Sequence, residues 1–392
     1  MSLFREIALY LHCTKLSKVV KLISTIDRLV KLAEDKNLDA LILSGVDNIE
    51  YFLDVTVAAD SPMLLIYVKR ENTVSLYVPL LEYYRYRTLL PEYVSVYALS
   101  KTQKAPDIPT LAVDWKDVVN SVISKCERVG ADLSHTSSLQ ALLLEALTGK
   151  AVNVSNDIWN VRSVKTEKEI ATIREAVHIT TAGILSVQAS IVDGVTESYL
   201  AGVFEHTTRS RGVEKMAFDP IVAFKPNNAY PHVLPSNRTI GKKDLVLVDV
   251  GVKYRGRCSD ITRMIIRGRP SKEEKRSLQA VLEALETAID TITPGVRAKD
   301  VYEAACRVLE KWGLRERFIH GLGHGVGIVV HEPPYLRADS TSVLEPSMVI
   351  TIEPGVYFNG YYGVRVEDVV VVSKRKARVL SENLSRVLEA IT

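Results

Sequence analysis

The stretch LVLVDVGVKYRGRCSDITR, from Leu245 to Arg263, reads as a β-hairpin that carries two carboxylates. It contains two apolar, β-branched runs that read as strands; Asp249 interrupts the first run and Asp260 directly precedes the second. A turn at residues 254–256 would pair the strands antiparallel and place the two aspartates opposite each other on one face. Because like charges side by side on a buried face are destabilising, the pattern predicts a cation between them, most simply a metal ion.

This hairpin belongs to the first half of an internal repeat, and each half reads as helix, turn, helix, strand and hairpin. Both opening helices carry a capping box, in which a Ser or Thr cap is followed three residues later by Glu: Thr166 with Glu169, and Ser271 with Glu274. The turn glycines also align in pairs: Gly194 with Gly295, and Gly212 with Gly313. The later glycine of each half is expected just after a helix. Such a duplication predicts a pseudo-twofold core.

The repeat predicts a second pair of acids in the later half. The segment TIEPGVYFNGYYGVRVEDVV holds Glu353 and Glu367 on either side of an Asn-Gly dipeptide at 359–360, which is a strong hairpin signal. Proline follows Glu353 directly and favours an extended backbone there, at the end or edge of a strand. Arg365 stands two residues before Glu367, so strand alternation would put both side chains on one face. Each half thus contributes one carboxylate pair.

Three histidines lie between the hairpins, in FIHGLGHGVGIVVHEPP: His320, His324 and His331. The glycines of this segment do not match a dinucleotide-binding fingerprint, and no His-Glu-x-x-His motif follows. They predict instead that the backbone passes close to a packed site. With His324 as a nitrogen ligand, four carboxylates and one imidazole favour a two-metal cluster over a thiolate zinc site. Such a cluster can supply a hydroxide and polarise a carbonyl at neutral pH.

The ordered motifs DVG, SDITR, HGLGHGVG with HEPP, EPG and GVRVED resemble the signature of the pita-bread metallopeptidases. Among these, the Xaa-Pro peptidases (prolidase and aminopeptidase P) are most similar. The motifs cover about residues 160–392, and the earlier segment resembles the creatinase-type N-terminal domain more loosely. The resemblance implies an α+β chain, with a smaller α/β domain at 1–158 and a pita-bread catalytic domain with a pseudo-twofold repeat at 159–392.

The resemblance also implies roles for single residues. Asp249 would bind one ion, His324 and Glu353 the other, and Asp260 and Glu367 would bridge the two. Glu353 would also shuttle protons.

Four further positions follow from the same resemblance. His232, in NNAYPH, and His331 match histidines that contact substrate and stabilise the tetrahedral intermediate. Arg365 would hold the metal carboxylates or the carboxylate of the substrate. His320 would line the side of the leaving group.

Three positions depart from the family pattern. Arg257 stands where an aromatic is common, Phe224-Lys225 replaces a small Ser-Gly pair, and YFLDV at 51–55 replaces Tyr-Leu-Thr-Gly. These departures leave the metal motifs intact and bear on substrate preference.

The implied function is hydrolysis of the bond between an N-terminal residue and proline, in an Xaa-Pro dipeptide or a short proline-containing peptide. Two divalent ions would be required, with manganese, cobalt, zinc and iron as the candidates. The family further suggests a homodimer. Two alternatives remain open: a non-catalytic binding module on the same fold, whose members usually lose metal ligands, and another aminopeptidase of this fold.

Composition sets broader limits. The chain has 392 residues, 47% of them hydrophobic and 25% charged, which is typical of a globular protein with two domains. A net charge of +3 with no block of one sign gives no indication of nucleic-acid binding. No apolar run approaches the roughly 18 residues of a membrane helix, and MSLFREIALYLHC at the start reads as an amphipathic helix, so we expect a cytoplasmic protein without membrane contact. Four scattered cysteines predict neither a disulfide framework nor a thiolate metal site.

The first segment reads as mixed α/β without a reaction centre, and its histidines, His12 and His135, are isolated. Helices are predicted at Ile23–Lys36, Glu82–Leu90 and Ser137–Leu147, and strands at Leu38–Leu43, Met63–Val68 and Val74–Val78.

Overall fold

The computed structural model describes residues 24–57, 61–134, 146–147 and 149–390. The chain divides into two compact units between Val161 and Arg162. This point and the expected boundary after residue 158 both fall in one helix, Ser155–Ser163. Four predicted features lie wholly or largely outside the described residues: the N-terminal amphipathic helix, His12, His135 and the helix over 137–147. Within the described ranges, no helix combines the length and the apolar character needed to cross a membrane.

The first unit contains a seven-stranded mixed sheet in the order β5-β4-β3-β2-β1-β6-β7. Its elements are α1 Thr25–Asp35, β1 Ala40–Leu43, α2 Val46–Leu53, β2 Leu64–Val68, β3 Thr73–Pro79, α3 Tyr83–Leu89, β4 Val94–Leu99, β5 Thr110–Leu111, α4 Trp115–Ile123, β6 Val129–Ala131, β7 Ala151–Asn153 and α5 Ser155–Ser163. The strands predicted at 38–43, 63–68 and 74–78 are β1, β2 and β3. They were detectable because each is an almost unbroken buried run of aliphatic and aromatic residues.

The second unit holds the duplicated segment. Its elements are α6 Glu167–Ala189, α7 Glu197–Arg209, β8 Lys215–Met216, β9 Ile221–Phe224, β10 Asp244–Val250, β11 Val252–Tyr254, β12 Arg257–Cys258, β13 Ile261–Arg267, α8 Lys272–Thr291, α9 Ala298–Lys311, β14 Gly323–Gly325, β15 Glu332–Leu336, β16 Val349–Ile352, β17 Gly355–Phe358, β18 Tyr362–Arg365, β19 Asp368–Val372, β20 Ala377–Val379 and β21 Val387–Glu389. One sheet has the order β21-β13-β10-β9 and another the order β15-β14-β16-β19-β20.

Helix pairs from the two halves cover these sheets. Along β10, Leu245 and Leu247 belong to the apolar cluster that includes α8 and α9, whereas Val246 and Val248 belong to the cluster that includes α6 and α7. Because successive side chains of a strand point to opposite faces, both faces of β10 are buried. Asp249 continues the face of Leu245 and Leu247, so its carboxylate enters the interior of the unit.

The predicted repeat is confirmed in its details. Both capping boxes are formed, at Thr166–Glu169 and at Ser271–Glu274. The segments before α7 and α9 make equivalent isolated bridges, Thr196 with Thr239 and Arg297 with Val343. The four aligned glycines all have positive φ, 79° and 83° in the first half and 89° and 66° in the second.

The register of the first hairpin differs from the expected one. Asp249 pairs with Thr262 and not with Asp260, because a two-residue turn at Arg255-Gly256 sets the pairing of the strands. Both turn residues have positive φ, 46° and 70°, as in a type I′ turn. The error is two residues, and a slip of two leaves a side chain on the same face. The acids therefore still share one face, as diagonal neighbours.

The second hairpin forms as predicted. Strands β17 and β18 pair with Gly355 opposite Arg365, around a loop that contains the Asn-Gly dipeptide at 359–360. Glu353 comes directly after the end of β16, as the proline that follows it indicated.

Replacing either of two glycines by alanine should change the free energy of unfolding, in opposite directions. Gly313 ends α9 with φ +66°, and the backbone bonds Gly313 N to Glu310 O and Leu314 N to Leu309 O close the helix in a Schellman motif. Gly202 lies inside α7 and faces open space. We expect Gly313→Ala to lower the free energy of unfolding by about 1–2 kcal/mol, since alanine is strained at this φ. Gly202→Ala should raise it by up to about 1 kcal/mol. Urea unfolding measures both changes. If the two variants shifted the free energy of unfolding in the same direction, the backbone conformations assigned to these glycines would be wrong.

Candidate metal centre

The second unit brings the ligand atoms of the predicted metal site together. Three groups of side chains have one potential ligand atom each within 4.8 Å of one another. The groups are Asp249, Asp260 and Glu367; His324, Glu353 and Glu367; and Asp260, His324 and His331. Asp260, His324 and Glu367 each belong to two groups, so the three groups form one continuous cluster. Each group can hold a cation.

The acids come from strand ends that meet between the two halves. Asp249 lies in β10, and Asp260 directly precedes β13. Glu367 precedes β19, and its backbone N–H donates to Thr262 O of β13 across 3.1 Å. Glu353 donates its backbone N–H to Leu322 O across 2.7 Å. These backbone bonds between distant segments fix the acids within one small volume.

Close backbone packing fixes His324. A Cβ on Gly323 would lie 2.0 Å from Thr351 O, and one on Gly325 would lie 2.3 Å from Pro333 O. Only glycine fits at both positions, as the glycine-rich segment predicted. His324 Nδ1 lies 3.1 Å from Gly325 O, and a carbonyl only accepts, so Nδ1 carries the proton. Nε2 is then free as a ligand, 3.4 Å from the carboxylate of Glu353 and 3.6 Å from that of Asp260.

Burial and mutual repulsion dominate the electrostatics of the acids. Desolvation, reinforced by neighbouring carboxylates, raises the pKa of Asp260 and of Glu367 well above the usual range. Desolvation also raises the pKa of Glu353 to about 8. For His324, desolvation followed by repulsion from His331 lowers the pKa to about 3. The imidazole is therefore neutral at physiological pH, as a metal ligand must be.

The donor set fits a divalent cation. Asp249 Oδ1 and Glu367 Oε1 are buried and have no hydrogen-bond partner in the structure. A buried acceptor without a partner costs about 1–3 kcal/mol, and more when it is charged. Unpaired carboxylate oxygens beside a neutral imidazole nitrogen are ligands that manganese, iron, cobalt and zinc accept. A cation bound here would satisfy both oxygens.

Arg365 touches this cluster. Its guanidinium forms an ion pair with Asp249 and donates to Tyr357 Oη across 2.6 Å and to Thr262 Oγ1 across 3.4 Å. Thr262 Oγ1 in turn donates to Glu367 Oε2 across 2.8 Å. Arg365 thus contacts one acid directly and another through a hydroxyl.

The sequence reasoning missed Tyr357 and Thr262. Tyr357 stands diagonally across the second hairpin from Arg365 and on the same face, which the hairpin register alone would have indicated. The pairing of Thr262 with Asp249 was hidden by the wrong register of the first hairpin.

Three histidines lie around the acids. His320 Nε2 is 3.0 Å from Tyr357 Oη, and burial followed by the charge of Arg365 lowers the pKa of His320 to about 4. His331 is exposed, and its ring centroid lies 4.3 Å from that of His324. His232 is also exposed. Burial, followed by electrostatic repulsion from His232, lowers the pKa of His331. All three histidines therefore lie close enough to interact electrostatically with one another or with residues of the acid cluster.

The residues near the site that depart from the family pattern have partners outside the acid cluster. Arg257 is buried, and its guanidinium lies 3.4 Å from the carboxylate of Glu169 at the start of α6. Phe224 is fully buried, and Lys225 forms a 2.8 Å ion pair with Glu274.

Cation binding should release protons. Because the pKa of Glu353 is raised to about 8, the metal-free protein holds a proton there below that pH, and a cation must displace it. We expect proton release to be larger at pH 6.5 than at pH 9, and metal affinity to rise as the pH rises toward 8. Calorimetric titration with Mn²⁺ in two buffers of different ionisation enthalpy measures the protons. A binding enthalpy that is independent of the buffer at pH 6.5 would contradict this electrostatic description.

Comparison with known proteins gives the family. Residues 171–374 match the model of metallopeptidase family M24, and residues 25–164 match the creatinase/prolidase N-terminal domain. The chain is 30% identical to the Xaa-Pro dipeptidase of Pyrococcus furiosus over 91% of this chain and 97% of that protein.

Solved structures agree with this match. The prolidase of Pyrococcus horikoshii OT3 superposes with a TM-score of 0.80 at 29% identity, over 92% of this chain and 99% of that chain. The X-Pro aminopeptidase of Thermotoga maritima superposes with a TM-score of 0.81 at 28% identity, over 93% and 99%. The chain therefore belongs to metallopeptidase family M24, with a creatinase-type N-terminal domain followed by a pita-bread catalytic domain.

Proposed function

We propose that this hydrolase cleaves the peptide bond between an N-terminal residue and proline, with two divalent cations as cofactors. The observation that carries the proposal is the convergence of four carboxylates and one neutral imidazole, with two buried carboxylate oxygens left without a partner. Four carboxylates balance the charge of two divalent ions. When bound, two such ions polarise the scissile carbonyl and generate a nucleophile from water at neutral pH.

We assign the ligands in the following way: Asp249 to one ion, His324 and Glu353 to the other, and Asp260 and Glu367 to both. Asp260, Glu367 and His324 each occur in two of the three side-chain groups, but only a carboxylate has two oxygens with which to contact two ions, which supports the bridging role of the two acids.

Glu353 also fits a proton-transfer role. Its raised pKa, about 8, shows that the protein environment lets this carboxyl hold a proton near neutral pH. A general acid or base is most effective when its pKa lies near the working pH. Bound cations would lower this pKa, while burial opposes them and keeps it closer to neutral pH than the cations alone would.

The remaining side chains would bind the peptide. His232 and His331 are exposed beside the acids, where a substrate can reach them. Arg365 keeps Asp249 oriented through their ion pair, and His320 would line the leaving-group side. The lowered pKa of His320 keeps its ring neutral at pH 7, so it would meet the peptide without charge.

The relatives support proline specificity and leave the length of the substrate open. Dipeptidases that act on Xaa-Pro and an X-Pro aminopeptidase match the chain with nearly equal identity and TM-score. A dipeptide and a tripeptide with the same first two residues separate the two activities.

The test uses protein stripped of metal and reloaded with Mn²⁺, Co²⁺, Zn²⁺ or Fe²⁺. We expect metal-dependent release of the first residue from Met-Pro or from Met-Pro-Gly, and much slower cleavage of Met-Ala and Met-Ala-Gly. Glu353→Gln should lose activity by roughly 100-fold or more, because it removes both a ligand and the proton carrier. If no Xaa-Pro peptide is hydrolysed with any of these metals, the proposal is wrong.

A further inference from the structure

Glu197, a buried carboxylate outside the metal centre, accepts five hydrogen bonds. Glu197 is the first residue of α7 and is fully buried. It accepts hydrogen bonds from three residues: from Phe224 N across 2.8 Å, from Asn227 Nδ2 across 3.0 Å to each oxygen, and from Ser236 N across 3.0 Å and Ser236 Oγ. Both carboxylate oxygens are therefore fully used by neutral donors.

These donors bracket one loop. Phe224 ends β9 directly before the loop 225–238, Asn227 lies near its start, and Ser236 lies near its end. The backbone of α7 adds two bonds to the same end, Glu197 N to Arg238 O across 3.2 Å and Ser198 N to Ser236 O across 3.0 Å. One side chain thus clamps both ends of the loop.

The repeat shows that the fold does not need a carboxylate at this position. The residue equivalent to Glu197 in the second half is Ala298, which is the first residue of α9 and is also fully buried. Its backbone N–H makes the equivalent bond, to Ser342 O across 2.9 Å, beside the equivalent bridge of Arg297 with Val343. Helix and bridge therefore form with alanine, and the acid of the first half serves the loop.

The clamped loop carries His232 to the metal centre. Arg365, which is paired with Asp249, also donates to Pro231 O across 3.3 Å. Asn228 ties the same loop to both hairpins, through Leu245 O across 2.8 Å and Gly363 N across 3.1 Å. The position of His232 relative to the acids is thus set by the clamp at the two ends of the loop and by the contacts of Asn228 and Pro231 within it.

We propose that Glu197 is the positioning residue for His232, which it holds at the metal centre by clamping both ends of the loop 225–238. This rests on the proposed function, in which His232 contacts the substrate. Glu197 itself touches neither metal ligands nor substrate and acts through the loop.

A double-mutant cycle tests the proposal on metal-loaded protein with the Xaa-Pro peptide that is cleaved best. Glu197→Gln keeps the volume and removes one acceptor oxygen; Glu197→Ala copies the residue of the second half, where the fold accepts it. Each is combined with His232→Ala. Glu205→Gln, an exposed site on the same helix, is the matched control. Metal content, and hydrogen exchange of the loop 225–238, are measured alongside.

We expect Glu197→Gln to lower kcat/KM by roughly tenfold to 100-fold with unchanged metal content, as displaced contacts do. In the His232→Ala background the same change should cost less than about twofold, because both act through one contact. Loop amides should exchange faster in both Glu197 variants, and Glu205→Gln should resemble the wild type.

Equal losses in both backgrounds, or loop exchange that does not change, would overturn the proposal. If the wild type hydrolyses no Xaa-Pro peptide, the proposed function fails on its own. Loop exchange then still decides the clamp: faster exchange in Glu197→Gln supports it, and unchanged exchange refutes it.

Discussion

Four carboxylates are held in one largely buried volume, and their mutual repulsion is the constraint around which the second unit of the chain is built. Desolvation, followed by repulsion between the carboxylates, raises the pKa of three of the acids, and two carboxylate oxygens of the cluster have no hydrogen-bond partner. The polypeptide alone offers partial compensation, through the ion pair of Arg365 with Asp249 and the hydroxyl of Thr262. Such a site costs stability unless a cation occupies it, which supports a role in cation binding.

Buried ion pairs next to the site hold the acids together against this repulsion. They are formed by residues that directly follow site residues in the sequence. Directly after Thr262, the guanidinium of Arg263 donates to Glu367 O and lies 2.8 Å from the carboxylate of Asp368. Directly after His331, Glu332 is fully enclosed between Arg162 and Lys165, 2.8 Å from each. Because successive side chains of an extended segment point to opposite sides, one residue faces the site and the next forms an ion pair in the interior. Breaking such a buried pair costs about 3–5 kcal/mol, which holds the acids in place.

Sequence alone predicted most features that depend on local pattern. The capping boxes, the positive-φ glycines and the hairpin at 359–360 each follow from a few adjacent residues. The register of the first hairpin was wrong because Arg255, unlike glycine or asparagine, gives no signal of the left-handed conformation that the turn requires. Contacts between segments far apart in the sequence were also invisible: Arg257 with Glu169, and the clamp of Glu197. They depend on how the helices and strands of the first half pack together, which no local pattern specifies.

The stability of the Asp260→Asn variant, with and without a cation, measures how strongly carboxylate repulsion and cation binding govern this site. Asp260 is buried among three other acids, and its neutral analogue removes part of their repulsion. At pH 9 in excess chelator, the variant is predicted to unfold at a higher urea concentration than the wild type. In saturating Mn²⁺ the order should reverse, because at 100 times the dissociation constant the wild type gains about 2.7 kcal/mol and the variant gains much less. A variant that is less stable than the wild type under both conditions would contradict the account.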